Sequence, residues 1–205
     1  MGSTLRKSFY PKVLNWAAYE GYHNVVKLLL KREGIVFNYI SKYGRTSLFA
    51  AVNGGHYKIV TLLLAKEDIQ VNQCDQDGST PLDWATYYGN HKVVKMLLSR
   101  EELQVNQINK YGETPLMLAI ERGHGEVVDL LLEMEDVDVN FCDQKGCTPL
   151  IRAVLNGCPK IVSSLLEKQD IQVNLANNYE DTPLILAAWE GYEEVVNLLL
   201  KKEIS

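Results

Sequence analysis

Apolar positions in this chain come in short clusters that recur at one spacing. In residues 80–98, Leu82, Ala85 and Thr86 fall on one side of a helix, while Val93-Val94 and Met96-Leu97-Leu98 carry a second helical spacing. Thr80-Pro81 precedes the first cluster and Gly89 follows it. The pattern predicts a helix of about two turns, capped by Thr80, with Pro81 where a missing N–H is harmless and Gly89 as the left-handed residue that ends it. A second helix follows. The arm Glu102-Leu103-Gln104-Val105-Asn106 then reads as extended, with a tight turn at Gly112 after Lys110-Tyr111.

The pattern repeats every 34 residues, at Thr46, Thr80, Thr114, Thr148 and Thr182, and again at Gly21, Gly55, Gly89, Gly123, Gly157 and Gly191. Asn38, Asn72, Asn106, Asn140 and Asn174 keep the same period, and an Ile/Val-Val pair recurs from Val25-Val26 to Val195-Val196. Six units result, at about 8–40, 41–74, 75–108, 109–142, 143–176 and 177–205, forming one repeat domain over 1–205. Helices this short are marginal in water, so each unit needs its neighbours to complete a core.

The segments Gly78-Ser79-Thr80-Pro81-Leu82, Gly112-Glu113-Thr114-Pro115-Leu116 and Gly146-Cys147-Thr148-Pro149-Leu150 each lead into an Ala-containing helix, a Gly and a second, Leu-Leu-bearing helix. In this they resemble ankyrin repeats, over roughly residues 8 to 205. The resemblance implies an all-α repeat solenoid of stacked antiparallel helix pairs with β-hairpin finger loops. Two departures stand out. The family's usual period is about 33 with Gly-Ala after the second helix, whereas here Glu67-Asp68-Ile69 or Glu135-Asp136-Val137 adds an apolar residue expected beneath the finger. In the first unit Lys12-Val13-Leu14 replaces Thr-Pro-Leu, as in an atypical, capping repeat. The sixth unit runs into Lys201-Lys202-Glu203-Ile204-Ser205 where a further finger is due, so a fragment of a longer array or multidomain protein is expected, with a frayed C-terminus as the alternative.

Composition narrows the setting. With 46% hydrophobic and 23% charged residues among 205, the chain has the make-up of a soluble globular protein. No apolar stretch approaches the ~18 residues of a membrane span, and Met1-Gly2-Ser3-Thr4-Leu5-Arg6 has no apolar signal core. The expectation is an intracellular, cytoplasmic protein without membrane insertion. A net charge of −5 argues against nucleic acid as partner.

Candidate chemistry is sparse. His23, His56, His91 and His124 all open second helices; in ankyrin-like repeats a His after the Gly caps and bridges the helix turn, which gives His56 and His124 a structural reading. Asp75-Gln76-Asp77-Gly78 lacks the alternating ligands and closing Glu of a calcium loop and reads as a turn. Cys74 and Cys142 lie two repeats apart, roughly 20 Å, too far for a disulfide. Cys142, Cys147 and Cys158 match no zinc spacing. Neither a phosphate loop nor a Ser/His/Asp order occurs, so no enzyme and no cofactor is expected. Asn140, after Asp138-Val139, resembles a family hydroxylation site; the alternative is an Asn that bonds the finger backbone.

A binding surface remains. Asp83 and Tyr87 are expected opposite the buried stripe of their helix, with Trp84 and Tyr88 on the flanks, and Trp16 and Trp84 are expected to wedge between helices. The places before each Gly hold Tyr19, Tyr87-Tyr88, Glu121-Arg122, Leu155 and Trp189, and the finger region holds Tyr43, Arg45, Asp77, Tyr111, Lys145 and Tyr179. In ankyrin-like repeats these places form the concave face that contacts partners, and Tyr and Trp are frequent interface anchors. The alternative for the finger tyrosines is packing on the neighbouring finger. Residues 1–102 carry 13 basic and 9 acidic groups, residues 103–205 carry 8 and 17, an asymmetry that would steer a partner or favour weak head-to-tail self-association. The expected function is a non-catalytic scaffold binding another protein or peptide. The alternatives are a structural spacer or self-assembling array without a specific ligand, and the targeting region of a larger protein.

Overall fold

The computed structural model describes residues 2–203, with side chains placed for 9–202. Met1, Ile204 and Ser205, which bear on the N-terminal and further-finger expectations, lie outside the described residues. Two compact units result, Met1–Gln104 and Val105–Ser205.

The first unit holds α1 (Gly2–Tyr19), α2 (His23–Leu30), α3 (Ser47–Asn53), α4 (Tyr57–Leu64), α5 (Pro81–Tyr87) and α6 (His91–Leu98). Its first helices stack as α1 on α3 on α5, its second helices as α2 on α4 on α6. The second unit holds α7 (Pro115–Glu121), α8 (Gly125–Leu132), α9 (Pro149–Leu155), α10 (Pro159–Leu166), α11 (Pro183–Trp189) and α12 (Glu193–Glu203). There α7, α9 and α11 stack, as do α8, α10 and α12. Both units are thus the stacked helix pairs of an all-α repeat fold, and no strand occurs among the described residues.

Local chemistry sets these boundaries. Thr46, Thr80, Thr114, Thr148 and Thr182 each accept the N–H of the third helical residue, and Gly89 ends its turn at φ 65° as the pattern predicts. At Thr80 the cap is reciprocal: Asp83 Oδ2 accepts the Thr80 N–H at 2.7 Å. Asp83 is therefore not on an open face. It is 2% exposed, in a slot that Phe49, Met117 and Ile151 fill with apolar atoms elsewhere. The first repeat departs further than expected, since α1 runs 18 residues through Pro11 where its counterparts have 7.

The fingers close by turns. Asp75 N–H donates to the Ser79 carbonyl and Gly78 N–H to the Asp75 carbonyl, and the same pair recurs at 41–45, 109–113, 143–147 and 177–181. In the last of these Glu180 stands at φ 66° where the other fingers have glycine. The added apolar residue of the arm is buried at Ile69, Val137 and Ile171.

Asparagine stitches the arms. Asn72 Nδ2 donates to the Glu102 carbonyl at 2.7 Å while its Oδ1 accepts the Gln104 N–H at 2.9 Å. Asn38 makes the same bonds to Asp68 and Gln70, Asn106 to Asp136 and Asp138, and Asn140 to Asp170 and Gln172. Asn140 thus has the backbone-bonding role it shares with its counterparts.

Candidate functional site

In the first unit the helix α5 sets Trp84, Tyr87 and Tyr88 three and four residues apart, so their rings meet on one flank. Tyr87 and Tyr88 stand edge to face with centroids 5.3 Å apart, and Trp84 lies 6.2 and 5.6 Å from them. Trp84 wedges against Phe49 of α3 at 5.9 Å, as expected of it. Trp16 does not wedge. It is 55% exposed, and its ring meets Tyr22 edge-on at 5.2 Å. The first repeat has no helix over that side among the described residues, whereas its counterpart Ala50 is covered.

A cation joins the aromatic group. Arg45 Cζ lies 5.1 Å from the ring centroids of both Phe49 and Trp84, and its Nη2 donates to Asp75 Oδ2 at 3.2 Å. The other oxygen of Asp75 accepts the N–H groups of Asp77 and Ser79. One carboxylate therefore closes the finger turn and orients the guanidinium, which settles Asp75-Gln76-Asp77-Gly78 as a turn. Tyr87 and Tyr88 remain exposed, as do Tyr19 and Tyr43. Lys42 Nζ, from the adjacent residue, lies 4.8 Å from the Tyr43 ring centroid. The Tyr19 carbonyl accepts from His56 Nε2 at 2.8 Å, so His56 bridges two repeats rather than capping α4.

The second unit carries a cleft of about 430 Å³, lined among others by Tyr111, Glu121, Lys145 and Leu155. At its base Arg152 Nη1 donates to Glu113 Oε1 at 3.1 Å and to Glu121 Oε2 at 2.9 Å. Its Nη2 and Nε donate to Asp143 Oδ2 at 2.8 and 3.2 Å. Burial pushes the Asp143 carboxyl up, but the Arg152 bond and the N–H groups of Cys147 and Lys145 outweigh it and hold the acid below its usual range. Burial also works against the Arg152 charge, and Asp143 with Glu113 overcomes it. Burial raises the Cys147 thiol, followed by the charge of Asp143. All four cysteines are free thiols.

Of the residues expected in the second unit, Tyr111, Glu121, Lys145 and Leu155 share one cleft, while Arg122, Tyr179 and Trp189 do not line it. Tyr179 and Trp189 are nonetheless well exposed. Sequence reading missed the hub itself, Arg152 with Glu113 and Asp143. A signal existed: position 152 is equivalent to Trp16, Ala50, Trp84, Leu118 and Leu186, so an arginine there breaks an apolar register. Asp75, which positions Arg45, reads in the sequence only as a turn residue.

Comparison with known proteins agrees with this architecture. A profile described as ankyrin repeats in three copies matches residues 4–75, 68–141, 101–177 and 134–205. No curated protein matches the chain. Among solved structures, an ankyrin repeat domain from Acinetobacter baumannii AYE is 31% identical at a TM-score of 0.83, over 93% of this chain and 97% of that one. The ankyrin repeat protein EF0377 is 27% identical with a TM-score of 0.85, over 92% of this chain and 96% of its own. The ankyrin repeat domain of Bcl-3, a member of the IkappaB protein family, is 25% identical at 0.80, over 92% and 85%. No described helix is long and apolar enough to cross a membrane. Repeat period, capped helix pairs, finger turns and these matches converge, and the chain belongs to the ankyrin repeat family.

Proposed function

We propose that this chain is a non-catalytic scaffold that binds a partner protein or peptide through its exposed aromatic and finger-tip residues. The observation that carries the reading is the Tyr87–Tyr88 pair, two adjacent exposed rings braced by Trp84. Bracing matters because an aromatic held in place loses little entropy on binding. Arg45, held by Asp75, adds a cation against the bracing Trp84 ring. In the second unit Tyr111, Lys145 and Leu155 offer a second contact surface around the Arg152 cleft. The four free thiols suit a reducing, intracellular compartment.

The test compares this chain with its Tyr87→Ala/Tyr88→Ala form as immobilised baits in extract from the source cells, read by quantitative mass spectrometry. Proteins retained by the first and lost by the second support the reading. Identical recovery by both baits sinks it and favours a spacer or self-assembling array. Ankyrin repeats generally mediate protein–protein interaction, which makes the scaffold the leading reading.

A further inference from the structure

The hub at the base of the second unit's cleft is out of balance, since one guanidinium, that of Arg152, answers three carboxylates. Glu113 and Asp143 lie deep, with side chains 15% and 6% exposed, where water dilutes their charge little. Glu121 stands at the rim. It meets Arg152 through Oε2 with 45% of its side chain exposed, which leaves Oε1 for a further donor.

The neutral groups share this bias. Asn156 lines the cleft and spends its Nδ2 on the Ile120 carbonyl at 2.7 Å, so the atom it has to offer is the acceptor Oδ1. Arg152 already commits Nε, Nη1 and Nη2 to the acids. What the cleft has to spare is therefore negative charge and acceptors, a combination that selects a cationic donor. The other cation in the lining, Lys145, is exposed on its finger. Residues 105–205 as a whole carry 17 acidic and 8 basic side chains, so the unit around the cleft draws cations too.

The walls set the shape. Tyr111 and Leu155 line the cleft and are both exposed, giving apolar surface along which the methylenes of a long basic side chain can lie. The Tyr111 ring already has a cation beside it, Lys110 Nζ at 4.9 Å from the centroid, so the acceptors rather than the ring decide where a further one goes. Two separate acceptors suit the planar, many-donor fork of a guanidinium better than the point charge of an ammonium. The volume of about 430 Å³ falls in the range of small-ligand clefts, roughly 300–1,000 Å³, and admits such a side chain.

We infer, resting on the scaffold reading, that this cleft takes an arginine side chain of the partner, its guanidinium held by Glu121 Oε1 and Asn156 Oδ1 and its methylenes against Leu155. The partner of the second unit is then a segment that presents an arginine, and Arg152 keeps the three acids in place for it.

The test is a titration of this chain with N-acetyl-arginine N-methylamide, read by amide chemical shifts in nitrogen-15 correlation spectra, beside the uncharged citrulline analogue of the same shape. The arginine probe should shift amides within 111–113, 121 and 143–156, and the citrulline probe should leave them in place. Glu121→Gln should weaken the arginine probe about three- to fivefold, and Lys145→Glu should tighten it by a similar factor, the range of one exposed charge pair. Both changes are at exposed side chains, and either serves if the other fails to fold. Equal shifts with both probes, shifts confined to other residues, no shifts up to the solubility of the probe, or an affinity unmoved by both variants each overturn the inference. A negative result here removes the arginine and leaves the scaffold reading, which the Tyr87→Ala/Tyr88→Ala baits decide separately.

Discussion

Arg152 donates twice to a single oxygen of Asp143, through Nη2 at 2.8 Å and Nε at 3.2 Å, while the other oxygen holds the finger turn through the Lys145 and Cys147 N–H groups at 2.8 Å each. A helix side chain is thereby tied to a finger through one carboxylate. Glu113 and Glu121 complete the shell, so one cation answers three acids.

Replacing Arg152 by Leu, the residue at positions 118 and 186, keeps the apolar register but leaves the half-buried carboxylates unanswered. The loss should be about 2 kcal/mol, below that for a fully buried pair because the site reaches solvent. Urea unfolding measures it. Asp143→Asn combined with Arg152→Leu should recover part of the loss, and an unchanged midpoint for Arg152→Leu would show the network to be inert.

The same network fixes an acid limb. Asp143 is held below its usual range in the folded protein, so it binds protons less readily there than in the unfolded chain. Its contribution is present above the ordinary unfolded value of about 3.9 and is lost as pH falls through the lower folded value. Stability followed down the acid limb should decline less steeply in Asp143→Asn than in the original chain. Parallel curves would contradict the assignment.

The asparagine stitches predict similar losses at equivalent positions. Asn140→Ala removes bonds to Asp170 and Gln172 and should cost roughly 1–2 kcal/mol, with faster amide exchange at Gln172. Asn72→Ala, which removes the bonds to Glu102 and Gln104, should cost a similar amount. An unchanged unfolding midpoint for either variant would show that the amide acts otherwise.

Glu180 holds the left-handed turn position that glycine fills at 44, 78, 112 and 146. Left-handed backbone is costly for a side chain with a Cβ, and glycine gives part of that back as unfolded-state entropy, so Glu180→Gly should stabilise by about 0.5–1 kcal/mol. Thermal unfolding of the two forms decides it.

Much of this was legible in the residues. Thr-Pro at the start of each first helix, Gly after it and the 34-residue period fix the helix pairs because capping and left-handed turns are local chemistry. The sites were legible only in part. Tyr87 and Tyr88 announce themselves by adjacency, but Arg152 draws its partners from Glu113, Glu121 and Asp143, and only the stacking of repeats brings those together. Asp83 misled for a related reason. Helix periodicity alone places it opposite the core, whereas its carboxylate closes the cap it shares with Thr80 and the residue is 2% exposed. Trp16 misled because the same position is covered in one repeat and open in another.

The asparagine stitch reaches forward by a fixed count of residues and recognises only backbone. Delete 41–74, and Asn38 finds the Glu102 carbonyl and Gln104 N–H at the offsets where Asp68 and Gln70 had been, the very groups that Asn72 now bonds. A gene for such a chain can gain or shed whole units by recombination without rewriting the asparagine stitch, while a loss of 33 or 35 residues puts the amide against the wrong groups.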